Sequence, residues 1–261
     1  RERIGAEIFE TPLIPSLKRG SKLLFKAENF QNTGSFKIRG ALSKLTALAK
    51  AKDLNTFKFI TASSGNHGIA CSKAASILGA SLTVVLPETV AKVKLERIKS
   101  FGVDVLIQGE ESGQAELYAQ KMSKEEGYFY ISPYNDSEVI AGQGTIGLEI
   151  LEQMKGRSLD NLFISIGGGG LISGISAVIK HHSPETKIWG ISAINSCTLA
   201  DSIKAGRMIE TKHFETLADG CAGGVDEDTI TFSITKQTVD ELLWCEENEI
   251  EKCFRDMAFE E

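Results

Sequence analysis

The sequence predicts an α/β protein built around parallel sheets, and three observations lead there. Short apolar runs rich in β-branched and aromatic residues alternate with segments of helical period, the pattern of βαβ units. The helical segments carry one apolar stripe each, enough to lie on a sheet. Two of the runs feed glycine-bearing turns that open directly into a helix.

Taken in order, Ala41, Leu45 and Leu48 recur at helical spacing ahead of a strand at 57–61. A strand at 82–86 is followed by Val93, Leu95, Ile98 and Phe101, read as one face of a crossover helix. Strands at 103–107 and 129–131 come next, then a long helix at 138–154. The run 162–166 leads through four glycines into a helix from Leu171, with a further strand at 187–191. A strand at 241–244 and a helix beginning near Glu247 close the chain. No internal repeat, low-complexity stretch or Pro-rich linker marks a domain boundary.

At 261 residues, 42% apolar and 25% charged, the chain has the composition of a globular protein with a substantial core, in one large or two small domains. A formal charge of −6 with no basic block argues against nucleic acid or an anionic membrane as partner and favours a small ligand. No stretch approaches the roughly 18 apolar residues of a membrane span. Arg1-Glu2-Arg3 is not followed by a signal-peptide core, so a cytoplasmic location is expected. Five scattered cysteines without a C-x-x-C pair are read as reduced core thiols.

Three clusters carry chemistry. Gly167-Gly168-Gly169-Gly170 follows a strand and opens a helix, which presents bare N–H groups and the positive end of the helix dipole. The dinucleotide pattern fails in every register, because Ile172 or Ser173 falls where its last glycine belongs, and the Lys of a P-loop is absent. That leaves a phosphate cradle of another kind, or a tight strand-to-helix turn. The second cluster, Ser63-Ser64-Gly65-Asn66-His67-Gly68, packs hydroxyl, amide and imidazole groups at a helix start, more than an N-cap requires. A carboxylate would suit it. The third runs from Lys26 to Ala41 and contains Lys37, either a solvated helix-start lysine or a nucleophile activated by partial desolvation.

Together these segments resemble the fold-type-II pyridoxal-phosphate enzymes, most closely their threonine dehydratase and serine racemase branch. Lys-x-Glu-x-x-Gln-x-Thr-Gly-Ser-Phe-Lys-x-Arg-Gly-Ala at 26–41 is similar to the branch's cofactor-lysine segment. Segments 63–68, 141–146 (Ala-Gly-Gln-Gly-Thr-Ile), 167–170 and 217–220 (Leu-Ala-Asp-Gly) resemble further family segments, in the family's order. The resemblance implies a tryptophan-synthase-β-like fold: a smaller domain, here 49–135, inserted into a larger one of 1–48 and 136–261, with the site between them and a homodimer as the assembly.

Carried over by residue, Lys37 would hold pyridoxal 5′-phosphate as a Schiff base, with Phe36 beside the ring and Asn66 on its 3-hydroxyl. Gly167, Gly168, Gly169 and Gly170 would hold the phosphate, and Ser63, Ser64, Asn66 and His67 the substrate carboxylate, largely through backbone. The implied reaction is dehydration and deamination of a small hydroxy-amino acid such as L-threonine or L-serine, with Lys37 as general base. Racemisation is the alternative, since Ser64 stands where racemases place a second acid/base. A non-catalytic binding homologue is a further one. Two departures accompany the resemblance. The racemases' divalent-ion carboxylates correspond to Ser192 and Thr198, so no metal is expected there. The family's partner for the pyridine nitrogen is expected beyond Glu261.

Overall fold

A computed structural model describes residues 1–51 and 53–261. Strands β1 (Leu13–Ser16) and β2 (Gly20–Lys26) form an antiparallel ribbon. Then follow α1 (Lys37–Ala51), β3 (Lys58–Ala62), α2 (Asn66–Leu78), β4 (Ser81–Leu86), α3 (Lys92–Lys99), β5 (Asp104–Ile107), α4 (Ser112–Glu126) and β6 (Phe129–Tyr130). The remainder is α5 (Ser137–Met154), β7 (Asn161–Ser165), α6 (Gly170–His182), β8 (Lys187–Ala193), α7 (Thr198–Ala205), α8 (Ile230–Thr238), β9 (Glu241–Cys245) and α9 (Glu247–Phe259). The chain groups into two units, Arg1–Phe9 with Glu28–Gly142 and Glu10–Ala27 with Gln143–Glu261.

The first unit is an αβα layer structure on a four-stranded parallel sheet ordered β5-β4-β3-β6. Successive side chains in a strand point to opposite faces, and the two cores follow that alternation. Phe59, Leu82 and Val84 pack with Ile38, Leu42 and Leu45 of α1, with Ile69 and Ala70 of α2 and with Ile98 of α3. Ile60 and Val85, one position along, meet Ala115 and Ala119 of α4. Because α1 packs along α2 and shares its core, α1 belongs to this unit.

One expectation for this unit changes. Val93 is exposed, while Ile98 is buried and Leu95 and Phe101 pack against the core. At 100° per residue Val93 falls off the stripe that Leu95 and Ile98 share, so α3 lays a narrower face on the sheet.

The second unit has a three-stranded parallel sheet, β7-β8-β9, together with the β1-β2 ribbon. Ile164 and Ile188 are buried, as are Ile172, Ile175 and Ile179 along one face of α6. On the opposite face of the sheet Phe163 and Leu243 stay exposed, and the Phe163 and Trp189 rings stack at 5.7 Å. The ribbon is fastened to α5 by a buried ion pair, Lys26 Nζ to Glu149 Oε2 at 2.6 Å, with Lys26 also donating to the Thr11 carbonyl. The cysteines are all thiols, but only Cys71 and Cys197 are buried; Cys221 and Cys245 are half-buried and Cys253 is exposed. Cys253 lies on α9, none of whose residues is buried, so the expected core setting does not apply to it.

Candidate active site

In the first unit, β3 ends at Ala62 and the chain passes through Ser63, Ser64 and Gly65 into α2. Gly65 is the N-cap and supplies no side-chain acceptor. The first-turn N–H groups of a helix lack intrahelical partners, so this start is ready to take an anion. Ser63 Oγ accepts from the Gly65 N–H at 3.2 Å. The half-exposed Ser64 hydroxyl takes part in no hydrogen bond among the described residues, and Asn66 is exposed at the head of the helix. The turn folds tightly over α2: a Cβ on Gly68 would stand 1.9 Å from the Ser63 carbonyl oxygen. Only glycine lets the backbone come that close.

His67 points the other way. Its ring is buried, 4% exposed, and its Nε2 lies 3.0 Å from the Ile131 carbonyl. A carbonyl only accepts, so Nε2 carries the hydrogen and the ring is a neutral donor. Burial, and after it the positive charge of Lys37, lower its pKa to about 3. Of the predicted carboxylate group, the His67 side chain is thus committed to the scaffold, and its backbone N–H is what the helix start offers. Burial pushes the neighbouring Cys71 thiol up to about 12, with the Lys37 charge pulling the other way.

Lys37 opens α1, after Gly34 has turned the chain at φ +80°. Its Nζ donates to the Pro133 carbonyl at 3.0 Å and sits 5.2 Å from the Phe36 ring centroid. Pro133 belongs to a turn held on several sides. Ile131 O also accepts from Thr61 Oγ1 at 2.9 Å, Ile131 N donates to Ile60 O, and Ser132 Oγ accepts from Asn135 N at 2.9 Å. The lysine segment is itself anchored by Arg39, wholly buried, whose guanidinium donates to both oxygens of Glu28 at 2.8 Å. The Pro133 carbonyl was not foreseen, and no sequence signal could have found it, because every residue has one.

In the second unit, β7 runs through Ile166 into Gly167, Gly168 and Gly169, and Gly170 begins α6. Gly169 is the N-cap in the left-handed region, φ +87°, again with no side-chain cap. Behind the loop there is no room for side chains. A Cβ on Gly167 would lie 2.8 Å from the Cys221 carbonyl oxygen, and one on Gly169 2.4 Å from Leu199 Cδ2. The loop therefore presents backbone alone at a helix N-terminus, as a phosphate requires. Among the described residues no group of three or more His, Cys, Asp or Glu is placed to hold a metal. Ser192 and Thr198 are engaged elsewhere, with the Ser196 carbonyl and with Thr211 and His213. No helix among the described residues is long and apolar enough to cross a membrane.

Comparison with known proteins bears on what these two glycine turns and the lysine serve. The pyridoxal-phosphate dependent enzyme family matches residues 4–261. The catabolic L-threonine dehydratase of Staphylococcus aureus is 37% identical over 258 residues, covering 96% of this chain and 72% of the relative. Maize serine racemase superposes with a TM-score of 0.89 at 30% identity, over 99% of this chain and 78% of its own. The processed form of threonine deaminase isoform 2 from Solanum lycopersicum superposes with a TM-score of 0.87 at 31% identity, over 96% and 73%. The residues present suit that cofactor, with one amine at Lys37 for an aldehyde and one uncapped glycine cradle for a phosphate. The chain belongs to the fold-type-II pyridoxal-phosphate dependent enzymes, the family of the threonine dehydratases and serine racemases.

Proposed function

We propose that this protein is an ammonia-lyase that converts a small hydroxy-amino acid, such as L-threonine or L-serine, to a 2-oxo acid and ammonia. One observation carries the reading. Lys37 and the uncapped start of α2 belong to the same unit, close enough that the lysine's charge is felt by His67. A base and a carboxylate-binding helix start are the two things an amino acid's Cα and carboxylate need.

Pyridoxal phosphate, when bound, supplies the electron sink that makes the substrate's α-proton acidic. Lys37 would hold it covalently, with Phe36 beside the ring, Asn66 on the 3-hydroxyl and Gly167, Gly168, Gly169 and Gly170 on the phosphate. Ser63, Ser64, Asn66 and His67 would hold the substrate carboxylate through hydroxyls and first-turn N–H groups. Once released by the substrate's amine, Lys37 Nζ would take the α-proton. The Pro133 carbonyl, already its acceptor, would steady the ammonium so formed. Loss of the β-hydroxyl as water leaves an enamine acid that hydrolyses to the 2-oxo acid and ammonia.

Racemisation is the second reading, because the Ser64 hydroxyl is half-exposed and unengaged, as a second proton donor would need to be. The experiment that decides is incubation with pyridoxal phosphate and L-serine or L-threonine, with parallel detection of 2-oxo acid, ammonia and D-serine. Two-oxo acid as the main product supports the lyase. D-serine in excess would replace it with the racemase, and neither product would leave a binding homologue. The reading extends to a homodimer, which sedimentation of the purified protein tests, and to a cytoplasmic location, which fractionation of the native cells tests.

A further inference from the structure

The cradle's backbone is held by a side chain outside every motif of the family resemblance. Thr231, the second residue of α8, is fully buried, and its Oγ1 donates to the Gly168 carbonyl at 2.8 Å. Thr229, the N-cap of α8, accepts from the Thr231 N–H, and its hydroxyl lies 2.8 Å from Thr231 Oγ1. A hydroxyl has a single proton to give. Since the Gly168 carbonyl can only accept, Thr231 spends its proton there, and Thr229 is the donor to Thr231.

We propose that Thr231 is a positioning residue for the cofactor's phosphate, its hydroxyl setting the 168–169 peptide plane so that the Gly169 N–H is aimed into the cradle. In a planar trans peptide the C=O and the following N–H point in opposite directions. Drawing the Gly168 oxygen toward α8 therefore turns the Gly169 N–H away from it. Thr231 also packs directly on Gly169, where a Cβ would stand 2.8 Å from Thr231 Cβ. Thr231 is itself held in register, because α8 is fastened to α6 by Ser173 with Thr235 at 3.1 Å and by Ser176 with Thr238 at 2.6 Å. The inference rests on the reading of 167–170 as the phosphate site, and the test separates the two.

The test compares the dissociation constants of pyridoxal 5′-phosphate and of pyridoxal, which lacks the phosphate, for the wild type, Thr231→Val and Thr231→Ser. Thermal unfolding of each apoprotein reports on folding. Valine keeps the shape and removes the donor; serine keeps the donor. For Thr231→Val the expected result is about a tenfold loss of affinity for pyridoxal phosphate, the scale of one charge-assisted hydrogen bond. Pyridoxal affinity should stay within about twofold of wild type, and serine should restore phosphate binding. A merely structural threonine would weaken both ligands equally, and that outcome overturns the proposal, as does an unchanged phosphate affinity in a folded Thr231→Val protein. If Thr231→Val does not fold, Thr229→Val removes the relay and the α8 cap while keeping the Thr231 hydroxyl, and its apoprotein melt reports the loss of the cap. A selective loss of a few-fold then supports the proposal and no loss overturns it. A wild type that binds the two ligands equally well would overturn the cradle reading itself.

Discussion

Acid is expected to destabilise this protein through His67 by a calculable amount. The ring titrates near 3 in the folded state against 6.5 when solvated, mainly because of burial and then because of the Lys37 charge. Between those values the unfolded chain binds a proton that the folded chain refuses, so stability falls as pH drops below about 6.5. The linkage relation makes the unfolded state's advantage about 0.2 kcal/mol at pH 7 and about 2.1 kcal/mol at pH 5. The change on acidification is therefore about 2 kcal/mol. The comparison is His67→Gln, whose amide can still donate to the Ile131 carbonyl but cannot titrate. Urea unfolding of both proteins at pH 7 and pH 5, followed by far-ultraviolet circular dichroism, isolates the effect, because all other titrating groups are common to the pair. The wild type should lose about 2 kcal/mol more than the variant over that interval. Equal losses, within about 0.5 kcal/mol, would refute the reasoning, since they would mean that the ring is solvated or can hold its proton in the folded state.

Three further outcomes follow from the same geometry. Gly68→Ala drives a Cβ into the Ser63 carbonyl, so the 63–65 turn must move; a stability loss of about 2 to 4 kcal/mol and a raised KM are expected from urea melts and kinetics. Glu28→Ala leaves the wholly buried Arg39 guanidinium without its carboxylate, and about 3 to 5 kcal/mol should be lost in the same melts. With a thiol-specific disulfide reagent at pH 8, exposed Cys253 should react at once and Cys71 only on unfolding, its pKa being near 12; fast labelling of Cys71 in the folded protein would contradict the buried core drawn around it.

The strands of both parallel sheets were legible because each is a short run of apolar, mostly β-branched or aromatic residues. The helices α1, α5 and α6 were legible because their apolar residues repeat at helical spacing. Other elements were hidden by their composition. The β1 strand is four residues long and contains Pro15, and its partner shows no buried face, so neither alternates. The α4 helix buries only Ala115 and Ala119, small residues that leave almost no apolar stripe. The α8 segment, Ile-Thr-Phe-Ser-Ile-Thr, is β-branched and reads as a strand; its hydroxyls make it a helix partner for α6. That is also why Thr231 went unseen. Lys37 and the two glycine turns stood out in the sequence because each is a set of particular residue types at fixed spacing. What surrounds them, the Pro133 carbonyl and the buried face of His67, depends on where the chain returns, which spacing along one segment does not encode.

Lys37 is the residue to which the cofactor is expected to become attached. The protein is incubated with pyridoxal phosphate, reduced with borohydride, digested and sequenced by mass spectrometry, with Lys37→Ala alongside. A single reduced adduct is expected on the peptide carrying Lys37, and none in the variant. An adduct spread over surface lysines, or one that survives in Lys37→Ala, would contradict that attachment.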